Sequence, residues 1–93
     1  MSEERKIRAE KSVVFTDLDD GSGVLLNLEN KYYYSLNMTA SFIWHLLEEN
    51  EELSKEEILK AILENFDITE EQAKKDVNEF IENLAKEGLI SLD

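Results

Sequence analysis

The chain has no cysteine and no proline, and only one histidine, one tryptophan and three glycines in 93 residues. Without cysteine there is no disulfide, no thiolate metal site, no iron–sulfur ligation and no cysteine nucleophile. The lone His45 cannot build a histidine metal cluster. It sits beside Trp44, off the densest apolar stripe of its helix, which suits a surface or partly packed residue better than a catalytic one. Gly21 and Gly23 lead into a strand rather than a helix, so no phosphate-cradling loop forms. No apolar run is long enough to span a bilayer, and the charged residues 1–11 do not resemble a signal peptide. A cytoplasmic protein without catalytic residues, metal or cofactor is expected.

Positive charge is the next scarcity. Ten Lys and Arg stand against 22 Asp and Glu, a net charge of −12. The imbalance is uneven: residues 1–37 carry 5 basic and 7 acidic side chains, residues 38–93 carry 5 and 15. Such a field repels phosphate backbones and anionic lipid, which disfavours nucleic acid and membrane surfaces as partners.

What the chain does have is ordered strands first, helices second. Residues 1–11 show no sustained periodicity and read as a flexible tail ahead of one domain over 12–93. Val13, Val14 and Phe15 form a β-prone run. The polar loop Asp17–Gly23 invites a calcium reading, but the EF-hand pattern needs an oxygen ligand and then glycine where Gly21 and Ser22 stand. Val24 to Leu28 is a second strand, Glu29 and Asn30 a hairpin turn, and Lys31 to Leu36 a third strand. Alternation puts Val24, Leu26 and Leu28 on one face, and Tyr32, Tyr34 and Leu36 on one face of the next strand, with Tyr33 pointing away. Three adjacent tyrosines are large contact areas that a chain without chemistry uses best by being bound.

Three helices with readable starts follow. Asn37 caps one running to about Glu49, with Phe42, Ile43, Leu46 and Leu47 as its stripe. Ser54 and Glu57 form a capping box for the second, which buries Ile58, Leu59, Ile62, Leu63 and Phe66. Thr69 and Gln72 form another capping box that opens the longest, where Ala73, Val77, Phe80, Ile81 and Leu84 recur until Gly88. Leu89, Ile90 and Leu92 return as a short strand or simply pack. The predicted class is α+β, winged-helix-like, a three-stranded antiparallel sheet followed by a three-helix bundle.

A resemblance rests on residues spread along this frame. They are Val24 to Glu29, then Tyr32-Tyr33-Tyr34-Ser35-Leu36-Asn37, then Thr39, Ala40, Ile43, Trp44, Leu46 and Leu47. Later come Glu56-Glu57-Ile58, Asp76-Val77 with Phe80, and Leu84 with Gly88-Leu89-Ile90. Together, over about residues 12–92, they resemble the PqqD family, whose members are also called RiPP recognition elements. Ala40 departs from the glycine many relatives carry. The resemblance implies three strands followed by three helices. It also implies binding of the leader segment of a ribosomally made precursor peptide, presented to a modifying enzyme such as a radical SAM protein, a leader peptidase or a cyclodehydratase. In the family the leader adds as a further strand on the third strand's free edge, against the third helix. Backbone pairing there gives register, and side-chain pockets give specificity.

Carried over, Lys31, Tyr32, Tyr33, Tyr34 and Ser35 are the pairing strand, with the tyrosines as side-chain contacts. The alternative is that Tyr32 and Tyr34 are half-buried sheet residues. On the third helix, Val77 and Leu84 centre the apolar stripe. Lys74, Asn78, Ile81 and Ala85 fall on one flank; Asp76, Phe80, Asn83 and Glu87 fall on the other. The first flank is favoured because it joins an apolar contact to a cation and an amide. The plainer alternative is that Lys74 and Lys75 only offset neighbouring glutamates. A competing function is an enzyme adaptor or chaperone without leader specificity. DNA binding is disfavoured, since the third helix sets Lys74, Lys75 and Lys86 against Glu70, Glu71, Asp76, Glu79, Glu82 and Glu87.

Overall fold

The computed structural model describes residues 6–92. Its strands are β1 (Lys6–Ala9), β2 (Val13–Asp17), β3 (Gly23–Asn27), β4 (Tyr33–Leu36), β5 (Leu53–Ser54) and β6 (Ile90–Leu92). Its helices are α1 (Met38–Asn50), α2 (Lys55–Asn65) and α3 (Glu70–Lys86). Strands β2, β3 and β4 form one antiparallel meander, and β5, β1 and β6 form a second small antiparallel sheet. The α+β class, with three strands followed by three helices, is as the sequence predicts.

Turn chemistry sets the register of the meander. Between β3 and β4 the chain crosses over residues 28–32, a five-residue connection closed by the Lys31 N–H donating to the Asn27 carbonyl at 2.7 Å. Asn30 Oδ1 accepts from the Tyr32 N–H at 3.0 Å. The left-handed residue is Lys31, φ 66°, rather than Asn30. Lys31 and Tyr32 therefore belong to the turn, and the third strand of the meander starts at Tyr33, two residues later than predicted. At the other end of β3, Gly23 is needed for close approach. A Cβ there would lie 2.4 Å from the Phe15 ring.

Side-chain alternation then separates two faces. Leu25 is completely buried and pairs with the half-buried Tyr34, while Gly23 pairs with the buried Leu36. The opposite face carries Val14, Leu26 and Tyr33 in one cross-strand row, Val14 and Tyr33 being exposed. The core side of β3 is thus Leu25 with Gly23 and Asn27, a set whose small and polar members hide it from a simple alternation reading.

The helices start where their caps predict. Asn37 Oδ1 accepts from the Ala40 N–H at 2.8 Å. Ser54 Oγ accepts from the Glu57 N–H while Glu57 Oε1 accepts from the Ser54 N–H. Thr69 Oγ1 accepts from the Gln72 N–H at 3.1 Å. Gly88, at φ 75°, ends α3 by letting the Leu89 N–H reach the Leu84 carbonyl at 2.9 Å. Ile43, Trp44 and Leu47 of α1, Ile58 and Ile62 of α2, and Ala73, Val77, Phe80 and Leu84 of α3 close one core with Leu25 and Leu36. Each large side chain there contributes about 1.5–3 kcal/mol. Trp44 is core, and its Nε1 donates to Glu48 at 3.1 Å.

The irregular tail expected over residues 1–11 does not hold for residues 6–9. Ile7 is 2% exposed and packs into the same core, and β1 pairs with β5 on one side and β6 on the other. Lys6, Arg8 and Glu10 surround that single apolar side chain, and its partners lie more than 40 residues away in sequence. Local pattern had no means of finding them. Residues 1–5 of that tail lie outside the described residues.

Candidate functional site

A strand at the edge of a sheet keeps half of its backbone groups unpaired, and alternation says which half. The Asn27 N–H donates to the Tyr32 carbonyl at 3.0 Å, which marks that cross-strand pair as the inward-bonded kind, although the Tyr32 N–H itself turns to Asn30 Oδ1. Two residues on, Leu25 and Tyr34 form the next such pair, and then Gly23 and Leu36. The N–H and C=O groups of Tyr33 and Ser35 consequently point away from β3. Among the described residues no strand pairs with that edge of β4.

Beside this edge runs a groove of about 130 Å³. Tyr34, Ser35, Leu36 and Asn37 form one wall, and Thr39, Ala40 and Ile43 of α1 form part of the base. Asp76, Glu79, Phe80, Asn83 and Leu84 of α3 form the opposite wall. Positions 76, 79, 80 and 83 follow the helical repeat, so a single stripe of α3 faces β4. Phe80, Leu84, Ile43 and Leu36 are buried, which makes the floor part of the core and therefore rigid. The rim is polar: Asp76 is half-buried and Glu79 and Asn83 are exposed. Gln72 Nε2 donates to Asp76 Oδ1 at 2.8 Å and so orients that carboxylate.

The predicted site residues divide. Tyr33, Tyr34 and Ser35 lie on β4, and Tyr34 and Ser35 line the groove, Tyr34 from the core-side face and Ser35 along the open edge. Tyr33 projects to the other face, 73% exposed, so only its backbone addresses the open edge. Lys31 and Tyr32 sit on the preceding turn, with Tyr32 70% exposed rather than half-buried. Lys74 and Asn78 are not brought to this groove. They line a separate hollow between α2 and α3 with Lys55, Glu56, Leu59, Glu70 and Val77. There Lys74 Nζ lies 3.5 Å from Glu70 Oε2, the offsetting pair that was the plainer alternative. Ile81 packs partly buried against the core. The favoured flank of α3 is therefore corrected. The wall beside β4 is the Asp76, Phe80 and Asn83 flank. A helical wheel centred on Val77 and Leu84 is symmetric and carried no signal for that choice. Sequence reasoning missed Glu79, Thr39 and Asn37 as lining residues.

The polar loop and the single histidine have structural partners. Ser22 donates its hydroxyl and its N–H to Asp20 Oδ1, which holds the Asp20 carboxyl below its ordinary range and makes the segment Asp17–Gly23 a side-chain-stabilised turn. His45 packs edge-on to Phe15 with ring centroids 4.7 Å apart, and its Nε2 lies 3.4 Å from Asp17. Among the described residues no three His, Asp or Glu side chains converge on a common point, and no helix is long and apolar enough to cross a membrane.

Three comparisons bear on this geometry. The family model described as coenzyme PQQ synthesis protein D (PqqD) matches residues 22–90. No curated protein matches. Among solved structures, the chain is similar to TbiB1 in complex with the TbiA(beta) leader peptide. Identity is 31% and the TM-score 0.78, over 90% of this chain and 94% of that one. It is also similar in fold to a lasso peptide synthetase B1 complexed with its leader peptide. Here identity is 21% and the TM-score 0.74, over 91% and 96% of the two chains.

Proposed function

This chain belongs to the PqqD family, and from that premise we propose that it captures the leader segment of a ribosomally synthesised precursor peptide and presents it to a modifying enzyme. The single observation that carries the reading is the outward-facing backbone of Tyr33 and Ser35 beside a groove with a rigid apolar floor. An extended peptide added to that edge pairs its N–H and C=O groups with theirs, whatever its sequence, and drops alternate side chains against α3. Strand β2 is the other edge of the same sheet, but the groove lies at β4. The 31%-identical relative supports the reading, since it is a leader-peptide complex.

The mechanism is binding and presentation. The chain holds the leader extended so that the following core segment reaches another protein's active site, and it contributes no bond-making group of its own. Among the enzymes implied by the family resemblance are radical SAM proteins, leader peptidases and cyclodehydratases. Backbone pairing plus one or two buried anchors gives a dissociation constant of about 1 μM, roughly −8 kcal/mol.

The test is selection of binders from a displayed library of random peptides, followed by competition with Tyr33→Pro, which deletes one outward donor. Binders that are lost with Tyr33→Pro support strand addition. Recovery of no binders, or of binders indifferent to Tyr33→Pro, contradicts it.

A further inference from the structure

We propose that Asp76 and Glu79 make the groove selective for a leader carrying a Lys or Arg side chain next to its apolar anchor. The inference rests on the strand-addition reading and adds the class of peptide that the site prefers. Every ionisable side chain lining the groove other than Tyr34 is an acid. From β4 and α1 come Tyr34, Ser35, Asn37 and Thr39, all uncharged at neutral pH, and from α3 come Asp76 and Glu79. Among the described residues no lysine or arginine lines it.

Among the described residues these two carboxylates also lack a cation partner. The salt bridge of α3 joins Lys74 to Glu70 on the other side of the helix. Lys75 precedes Glu79 by one turn without pairing with it. Asp76 is instead oriented by the neutral Gln72 amide, which leaves its second oxygen as an acceptor. A bound strand covers this rim and displaces water from it. Two negative charges left without a partner there oppose binding, whereas a cation in the strand turns the same charges into charge-assisted hydrogen bonds.

The spacing is compatible with one extended segment. Same-face side chains of a strand recur about every 6.6 Å. Asp76 and Phe80, four residues apart on α3, are separated by about 6 Å along the helix. A strand running along α3 that sets an apolar side chain over Phe80 therefore sets the side chain two positions away beside Asp76, from where a long cationic side chain reaches back toward Glu79, three residues on. The expected motif is an apolar anchor with a cation two residues from it.

The experiment uses the full chain and a peptide recovered from the random library. That peptide and its Lys→Glu counterpart are titrated into the wild type, into Asp76→Asn/Glu79→Gln, and into Glu64→Gln/Glu71→Gln. The last removes the same charge away from the groove. The wild type and the distant double variant should bind the lysine peptide about tenfold more tightly, about 1.4 kcal/mol. In Asp76→Asn/Glu79→Gln the gap should shrink to about twofold, and Asp76→Lys/Glu79→Lys should reverse the preference. Equal gaps in the two neutralised variants would overturn the inference in favour of the chain's overall negative field. Recovered binders lacking any cation two residues from an apolar position would overturn it as well. Either result leaves strand addition standing so long as Tyr33→Pro still abolishes binding. Binding that survives Tyr33→Pro overturns the underlying reading itself.

Discussion

Helix α3 has a hollow on each side, and the two differ in what forms the facing wall. Toward β4 the wall is a strand edge with unpaired backbone at Tyr33 and Ser35, and the rim carries Asp76 and Glu79 without cations. Toward α2 the wall is the N-terminal part of a second helix, which offers no strand edge for an extended peptide to join. The rim there mixes Lys55 and Lys74 with Glu56 and Glu70. Apolar floor is common to both, since Phe80 and Leu84 underlie one side and Val77 and Leu59 the other. A helix stripe therefore becomes a peptide groove through its neighbour's unsatisfied hydrogen-bonding groups, more than through its own apolarity.

The comparison can be broken most severely at the shared support. Phe80 is 5% exposed, so Phe80→Ala should cost about 3–5 kcal/mol of stability, read as a fall in the urea midpoint. A loss under about 1 kcal/mol would mean that the groove floor is not core. The next effect separates the two hollows directly. Tyr33→Pro should weaken peptide binding at least tenfold, about 1.4 kcal/mol, with helix content by circular dichroism unchanged, because proline on an edge strand removes only an outward donor. Tyr33→Ala keeps that donor and loses an outward-facing ring, so it should cost far less.

Much of this was legible in the sequence, and the parts that were not share a cause. Asn37, Ser54 and Thr69 announce helix starts through side chains acting within three residues, and all three accept the expected backbone N–H, although the full capping box forms at Ser54 and not at Thr69, where the Gln72 amide turns to Asp76. Gly88 ends α3 by the same kind of local rule. Strand β1 was illegible because Ile7 is one apolar side chain among charges, and its pairing with residues 53–54 and 90–92 is decided by the assembled core. The third strand of the meander begins late because Lys31, not Asn30, takes the left-handed turn position. The groove side of α3 was illegible because both flanks of Val77 and Leu84 look alike until α3 is placed against β4. The sequence pointed to the strand that forms this edge, but not to Tyr32 as a turn residue or to the acids Asp76 and Glu79 across the groove.

A third prediction sharpens the contrast from the α2 side. Lys74→Glu and Asn78→Ala should change peptide affinity by less than about twofold in a titration, since neither residue lines the β4 groove. A tenfold loss in either would restore the opposite flank as the binding wall. The smallest effect concerns the cap that anchors the α2 wall. The Ser54 N–H, with a lesser contribution from Lys6, holds the Glu57 carboxyl below its ordinary range. A depressed carboxylate stabilises the fold above its unfolded pKa, and that contribution fades as pH falls through the folded one. The Tm gap between wild type and Glu57→Ala should therefore be present at neutral pH and close on acidification, with peptide affinity at neutral pH unaffected.

Amide hydrogen exchange in the presence and absence of a library-selected peptide tests strand addition most directly, because it reads the two backbone groups on which the account depends. Saturating peptide should slow exchange at the Tyr33 and Ser35 N–H groups, leaving Tyr34, already bonded to β3, and residues 55–65 of α2 unchanged. Protection confined to α2, or a bound peptide that leaves Tyr33 and Ser35 exchanging as freely as before, would contradict the account.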